Sequence, residues 1–222
     1  MPQKTAMLLF DFDGVIADSL GIYTSICTRT ARQLGHPVQL PKNPFATLSH
    51  VSFECLAQSL GLGPVEYTAM SSYLLSKSTA TAPAFNDMIE LLHKVSCRVE
   101  VGILSASPRA FIDRFLDQHG GSDAVTLILS RDDPGTKADK MKTLQKNGRH
   151  LLALVGDGVS DISAAREANV PSIGVSWGWQ SVSRLLQAGV DDIAQCPQDI
   201  ERWVKKRLLS RAPEAEIQGG IR

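Results

Sequence analysis

Ala6-Met7-Leu8-Leu9-Phe10 runs directly into Asp11-Phe12-Asp13-Gly14-Val15. The first five residues read as a short buried strand, apolar throughout and closed by a glycine turn. In an extended chain residues i and i+2 point the same way, so Asp11 and Asp13 could emerge together at the strand's C-terminal end. That end is where open α/β sheets place their ligand sites. Two neighbouring carboxylates repel and need a cation or a shared proton. On this stretch alone, an ordinary Asp-Gly turn at a strand end is an equally good reading, and the remaining strand ends have to decide.

Downstream of this turn, residues 18–34 carry Ile22, Tyr23, Ile26, Cys27, Ala31 and Leu34 at helical spacing, and Gly35 and Pro37 stop the pattern. Further helices are expected over about 52–60 and from Pro64 onward. No strand pattern occurs between 18 and 80, so this is an all-helical insert small enough to act as a lid. Ser78–Pro83 reads as a linker.

From there the chain alternates. Helices are expected over about 86–95 with Asn86 as N-cap, from Pro108 to Gly120-Gly121, over 137–146, from a Ser160 cap to Asn169, and near 181–188 and 197–209. Strands are expected at Arg98–Leu104, Ala124–Leu129, Leu151–Val155 and Ser172–Val175. Apolar strands alternating with helices predict a parallel sheet covered on both faces, a doubly wound α/β core. The expected division is a core of residues 1–17 and 82–211, a helical insert over 18–81, and a loose tail over 212–222.

Each central strand delivers polar groups to its end. Ser105 ends the second strand, and Ser107 precedes Pro108, where either a plain N-cap or a place beside an anion fits. Lys137 falls in a first helical turn, where a cation opposes the helix dipole; that local cost suggests pairing with Asp11 and a bound phosphate, with Lys140 as the alternative. Gly156-Asp157-Gly158-Val159-Ser160-Asp161 follows the fourth strand, so Asp157 could aim at the same point as Asp11, and Asp161 could hold Lys137 or a metal-bound water. Hard oxygen ligands without His or Cys suit Mg²⁺ better than Zn²⁺. Such a set suits hydrolysis of a phosphate monoester through a covalent aspartyl-phosphate, with Asp11 as nucleophile and Asp13 as the proton carrier.

The composition is compatible with that chemistry and excludes others. Lys+Arg and Asp+Glu both number 23, so no polyanion-binding surface is expected and nucleic acid is not a partner. Cys27, Cys55, Cys97 and Cys196 are widely spaced, which argues against a disulfide frame or a zinc site. No apolar stretch approaches membrane-spanning length, and Met1–Thr5 leads into the first strand without a cleavable signal pattern; a cytoplasmic protein is expected.

Together the four motifs resemble the haloacid dehalogenase-like hydrolase superfamily, specifically its phosphatases. Asp11-Phe12-Asp13-Gly14-Val15-Ile16-Ala17-Asp18-Ser19 is similar to the first motif, Ser105 to the second, Lys137 to the third and Gly156–Asp161 to the fourth. The insert resembles the small helical cap of phosphoglycolate phosphatases and β-phosphoglucomutases, and Gly174-Val175-Ser176-Trp177-Gly178 the segment after their fifth strand. The resemblance implies a Rossmann-like core and a small phosphorylated metabolite as substrate. Asp11 is then nucleophile and metal ligand, and Asp13 general acid/base and metal ligand through its backbone carbonyl. Asp157 completes the Mg²⁺ ligands, Ser105 and Lys137 bind phosphate, and Gly14 and Asp161 support the site. Two departures stand out: Ala106 replaces a common Asn and can offer only its amide, and Lys137 is followed by Ala138 instead of Pro. Within the cap, the loop Pro44–His50 is where specificity is expected, at Ser49 or His50. A β-phosphoglucomutase-like mutase and a weakly active regulatory or binding protein are the rival readings.

Overall fold

The computed structural model describes residues 6–210, so the tail expected over 212–222 and the first five residues lie outside the described residues. Six parallel strands form one sheet in the order β3-β2-β1-β4-β5-β6: β1 Ala6–Phe10, β2 Glu100–Leu104, β3 Leu127–Leu129, β4 His150–Gly156, β5 Ser172–Val175 and β6 Asp192–Ala194. The order runs outward in both directions from β1, which places the topological switch point between β1 and β4.

Burial along β1 explains why it sits at the centre. Met7, Leu8, Leu9 and Phe10 are all fully buried, and their alternation divides them between two apolar layers. Leu8 and Phe10 join the layer formed by α4 (Met88–Ser96), α5 (Arg109–His119) and α9 (Pro197–Leu209). Met7 and Leu9 join the opposite layer with α6 (Lys137–Lys146) and α7 (Val159–Glu167). A short helix, α8 (Val182–Gln187), follows β5.

Helices α1 (Leu20–Gln33), α2 (Phe53–Ser59) and α3 (Pro64–Lys77) share a separate cluster built on Tyr23, Ile26, Phe45, Leu56 and Tyr67. The chain enters them and returns at one place: Asp18 N–H donates to Pro83 O at 2.9 Å and Phe85 N–H to Ile16 O at 3.0 Å, with Ala17 bridged to Ala84. Two side chains from the sheet side reach across. Trp179 is buried in the helical cluster, stacked on Phe45 with ring centroids 5.1 Å apart. Gln180 Nε2 donates to the carbonyls of Phe45 (3.3 Å) and Leu48 (2.7 Å).

Several local expectations are corrected. Asn86 does not cap α4; Asp87, left-handed at φ 63°, precedes the helix, because Phe85 is tied to Ile16 and the chain must turn before Met88. Ser160 is not a cap either: Gly158 holds that position in extended conformation, and Asp161 accepts its N–H at 3.1 Å. β2 begins at Glu100, and Ser122–Ala124 forms a 3₁₀ turn that delays β3 to Leu127. β6 was not expected; its three residues are too few to show a pattern, and Asp192 is exposed on the edge. No helix among the described residues is long and apolar enough to cross a membrane.

Candidate functional site

The C-terminal ends of the strands and the helical insert enclose a cavity of about 520 Å³. Asp11, Asp13, Ser105, Ala106, Lys137, Lys140, Asp157 and Asp161 all line it, together with His50 from the insert.

Asp11 is fixed by the sheet itself. Its N–H donates to Val155 O at 2.8 Å, extending the β1–β4 pairing one residue past the strand. Its Oδ1 accepts from Phe12 N–H at 2.7 Å, and its Oδ2 meets Lys137 Nζ at 2.8 Å. Lys137 Nζ also donates to Asp161 Oδ1 at 2.7 Å. Lys137 is the first residue of α6, capped by Thr136, whose hydroxyl accepts from Asp139 N–H. The dipole-opposing lysine is thus held by two carboxylates. Lys140, the alternative, has its Nζ engaged elsewhere, donating to Ser130 O at 2.5 Å.

Asp11, Asp157 and Asp161 can bring one oxygen each to within 4.8 Å of one another. Asp157 Oδ2 accepts from Trp179 N–H at 2.7 Å. The backbone crowds this carboxylate from two sides. A Cβ on Gly14, which has φ +76°, would stand 1.9 Å from Asp157 Oδ2, and one on Gly178 would stand 2.1 Å from Asp157 Cβ. Glycine is therefore needed at both positions, and the Gly14 turn does positional work for Asp157.

Asp13 lines the same cavity but is not one of those three clustered carboxylates. The strand ends at Phe10, yet Asp11 and Asp13 still face one cavity, and the Asp13 charge acts on Asp11. Ser19 Oγ donates to Oδ1 at 2.5 Å, and Ser107 Oγ and Tyr23 OH reach Oδ2 at 2.5 and 3.3 Å. Ser107 is thus neither the helix cap, a place taken by Pro108, nor a free phosphate ligand. Ser105 is buried; its Oγ accepts Ser107 N–H at 3.0 Å, which leaves its own proton available to the cavity. Ala106 is exposed and presents no polar side-chain atom. Of the two specificity candidates, His50 lines the cavity and Ser49 does not. The Leu48 carbonyl is tied to Gln180 and Arg184, and the loop turns Ser49 to solvent.

The electrostatics follow from burial. Asp11 is pushed up to about 7 by burial, against the lowering effect of Lys137. Burial, then the charges of Asp11 and Asp161, drive Asp157 well above the usual carboxylate range. Asp13 is also raised by burial, with the hydroxyls of Ser107 and Ser19 working the other way. For Lys137, burial works to lower it, but the Asp11 and Asp161 charges prevail and hold it above its ordinary range. One ammonium therefore faces more carboxylates than it can neutralise. An oxygen-only donor set with excess negative charge fits a hard divalent cation such as Mg²⁺, which Asp11, Asp157 and Asp161 could hold between them.

Sequence reasoning missed the hydroxyl cradle of Asp13 and the part played by Trp179 and Gln180. Tyr23 sat in a helical period and read as core; its partner Ser107 lies 84 residues away. The backbone contact of Trp179 with Asp157, one residue past the Gly174–Gly178 segment, has no local signal.

Comparison with known proteins agrees with this arrangement. A family model described as haloacid dehalogenase-like hydrolase matches residues 8–175. The chain is 26% identical over 208 residues to a phosphoglycolate phosphatase of Synechococcus elongatus, covering 90% of this chain and 98% of the relative. A phosphoglycolate phosphatase of Vibrio cholerae is 23% identical over 213 residues, covering 86% and 93%. Among solved structures, a predicted phosphatase from Clostridium acetobutylicum superposes with a TM-score of 0.78 at 18% identity, covering 91% of this chain and 99% of that one. The shared fold and the match across three quarters of the chain lead to one statement of identity: the protein belongs to the haloacid dehalogenase-like hydrolase family.

Proposed function

We propose that the protein is a Mg²⁺-dependent phosphatase that hydrolyses a small phosphorylated metabolite through an aspartyl-phosphate on Asp11, in the manner of phosphoglycolate phosphatases. The observation that carries this reading is Lys137 Nζ bridging Asp11 and Asp161 beside Asp157, in a cavity closed over by the helical insert. The names of the relatives support the substrate class.

In this reading the Ser105 hydroxyl, the Ala106 amide and Lys137 hold the phosphate oxygens. The Asp11 carboxylate attacks phosphorus while the ester P–O bond breaks, and Asp13, whose pKa burial raises, gives its proton to the departing alcohol oxygen. Asp13 then takes a proton from water, the hydroxide attacks phosphorus, and Asp11 is released with inorganic phosphate. Bound Mg²⁺ would offset the charge of the carboxylates and of the phosphate. The Ser19, Ser107 and Tyr23 hydroxyls fix where the Asp13 proton is delivered. The insert excludes water and chooses the alcohol.

The test is phosphate release from a panel of 2-phosphoglycolate, sugar phosphates and nucleotides, with Mg²⁺ and with EDTA. Release from a small ester in Mg²⁺, lost in EDTA, is expected; no release from any ester would overturn the proposal.

A further inference from the structure

Two tryptophans, two residues apart, are treated differently by the fold. Trp177 Nε1 donates to Val15 O at 3.2 Å. Trp179 is only 6% exposed, yet its Nε1 has no partner among the described residues. Trp179 lines the cavity. Its Cδ1, the ring atom bonded to Nε1, lies 2.9 Å from where a Cβ on Gly14 would stand, so the Cδ1 edge of the indole faces Gly14. The remainder of the indole is engaged by Phe45 and Tyr23, at 5.1 and 5.2 Å between ring centroids. A second buried polar atom on the same cavity, Thr68 Oγ1 of α3, is also without a partner among the described residues.

A buried N–H without a partner costs free energy, and native structures rarely leave one. Neither atom has accessible surface, so water standing in the cavity does not satisfy them. A substrate oxygen brought against them supplies the missing partner. An indole N–H can only donate, so that partner must be an acceptor.

From this we infer that Trp179 Nε1, assisted by Thr68 Oγ1, binds an oxygen on the alcohol half of the substrate. The preferred substrate class is then a phosphate ester of a small oxygen-bearing alcohol, a hydroxy acid or polyol, and plain alkyl phosphates are rejected. This inference rests on the phosphatase reading and deepens it. Trp179 is the specificity residue, reading the part of the substrate that does not react.

Three esters of nearly equal size test it: ethyl phosphate, 2-hydroxyethyl phosphate and 2-phosphoglycolate. They share a two-carbon alkoxide and differ in the oxygen at the far carbon; the neutral hydroxyl arm separates hydrogen bonding from charge attraction. The wild type should show kcat/KM higher for the two oxygen-bearing esters by roughly 10- to 100-fold over ethyl phosphate. In Trp179→Phe, which keeps an aromatic ring against Phe45, that ratio should fall to within about 3-fold of unity, whatever happens to the absolute rates. Thr68→Val, which leaves the Trp179 stack in place, should lower the same ratio and decides alone if Trp179→Phe does not fold. A wild type without preference overturns the inference, as does a ratio unchanged in the variants. A wild type that hydrolyses none of the three, nor any ester of the wider panel, sinks the phosphatase reading and this inference with it.

Discussion

Replacing Gly14 by alanine isolates the most specific geometric claim about the site, that a glycine turn makes room for the Asp157 carboxylate. Two costs combine there. An L-residue at φ +76° is strained by about 1–2 kcal/mol. The new Cβ would also stand 1.9 Å from Asp157 Oδ2, 2.6 Å from its Cγ and 2.9 Å from Trp179 Cδ1, so those buried groups must move. Overpacking of this kind adds about 1–3 kcal/mol. Gly35 supplies the control: its φ is +79° and nothing lies within 4 Å of its Cβ position, so Gly35→Ala carries the strain without the clash. At about 2–4 °C per kcal/mol for a chain of this size, Gly35→Ala should lower the melting temperature by roughly 2–8 °C and Gly14→Ala by roughly 4–20 °C. A displacement of about 1 Å at Asp157 should cost on the order of 100-fold in turnover. Thermal melts and Mg²⁺-dependent hydrolysis of p-nitrophenyl phosphate measure both. A Gly14→Ala protein that melts with Gly35→Ala and turns over within about 3-fold of it would refute the packing argument.

Two further outcomes are expected. Asp11 and Asp157 are held above their unfolded value of 3.8, Asp11 at about 7. The unfolded chain therefore sheds these protons at lower pH than the native one, and metal-free stability falls as pH rises from about 4 through 7. Asp157→Asn should accordingly melt higher than wild type at pH 8 without metal, with the gap shrinking toward pH 4, and should lose the Mg²⁺-induced rise in melting temperature; an unchanged Mg²⁺ response would remove Asp157 from the metal site. Gln180→Ala strips the partner from Val159 N–H, at about 1–3 kcal/mol for a group left buried and unpaired, and removes the Nε2 bonds to the Phe45 and Leu48 carbonyls, which keep Leu48 N–H and Arg184. It should lower the melting temperature and raise KM more than it lowers kcat, because Gln180 ties the loop at Leu48 to the core; wild-type melts and KM would show that this tie does not hold the insert in place.

How much of this was legible depended on how local each signal was. Apolar runs such as Met7–Phe10 announce a doubly buried strand because both neighbouring layers demand apolar side chains, and the burial of all four residues follows. The insert was legible from helical spacing and the absence of strand patterns, and the turn glycines marked the strand ends that meet at the cavity. Lys137 was legible through its poor fit to a first helical turn. What escaped depended on long-range contacts. The Asp13 hydroxyls come from Ser19, Tyr23 and Ser107, and nothing in the neighbourhood of Tyr23 distinguishes it from a core tyrosine. Gln180 and Trp179 act across more than 130 residues on Phe45 and Leu48. Ser49 and His50 are adjacent in sequence, yet only His50 lines the cavity, a difference set by how the Leu48 carbonyl is anchored. Asp161 was legible as a residue that could hold Lys137, which it meets at 2.7 Å, and its carboxylate also lies close to those of Asp11 and Asp157.

The central claim is that Asp11 forms the bond to phosphorus. The most direct measurement is Mg²⁺-dependent hydrolysis of p-nitrophenyl phosphate by purified Asp11→Asn beside the wild type, with thermal melts to confirm folding. The amide keeps the shape of the side chain and removes the nucleophile, so hydrolysis should be abolished in a folded protein. Retained hydrolysis in that protein would contradict the covalent mechanism.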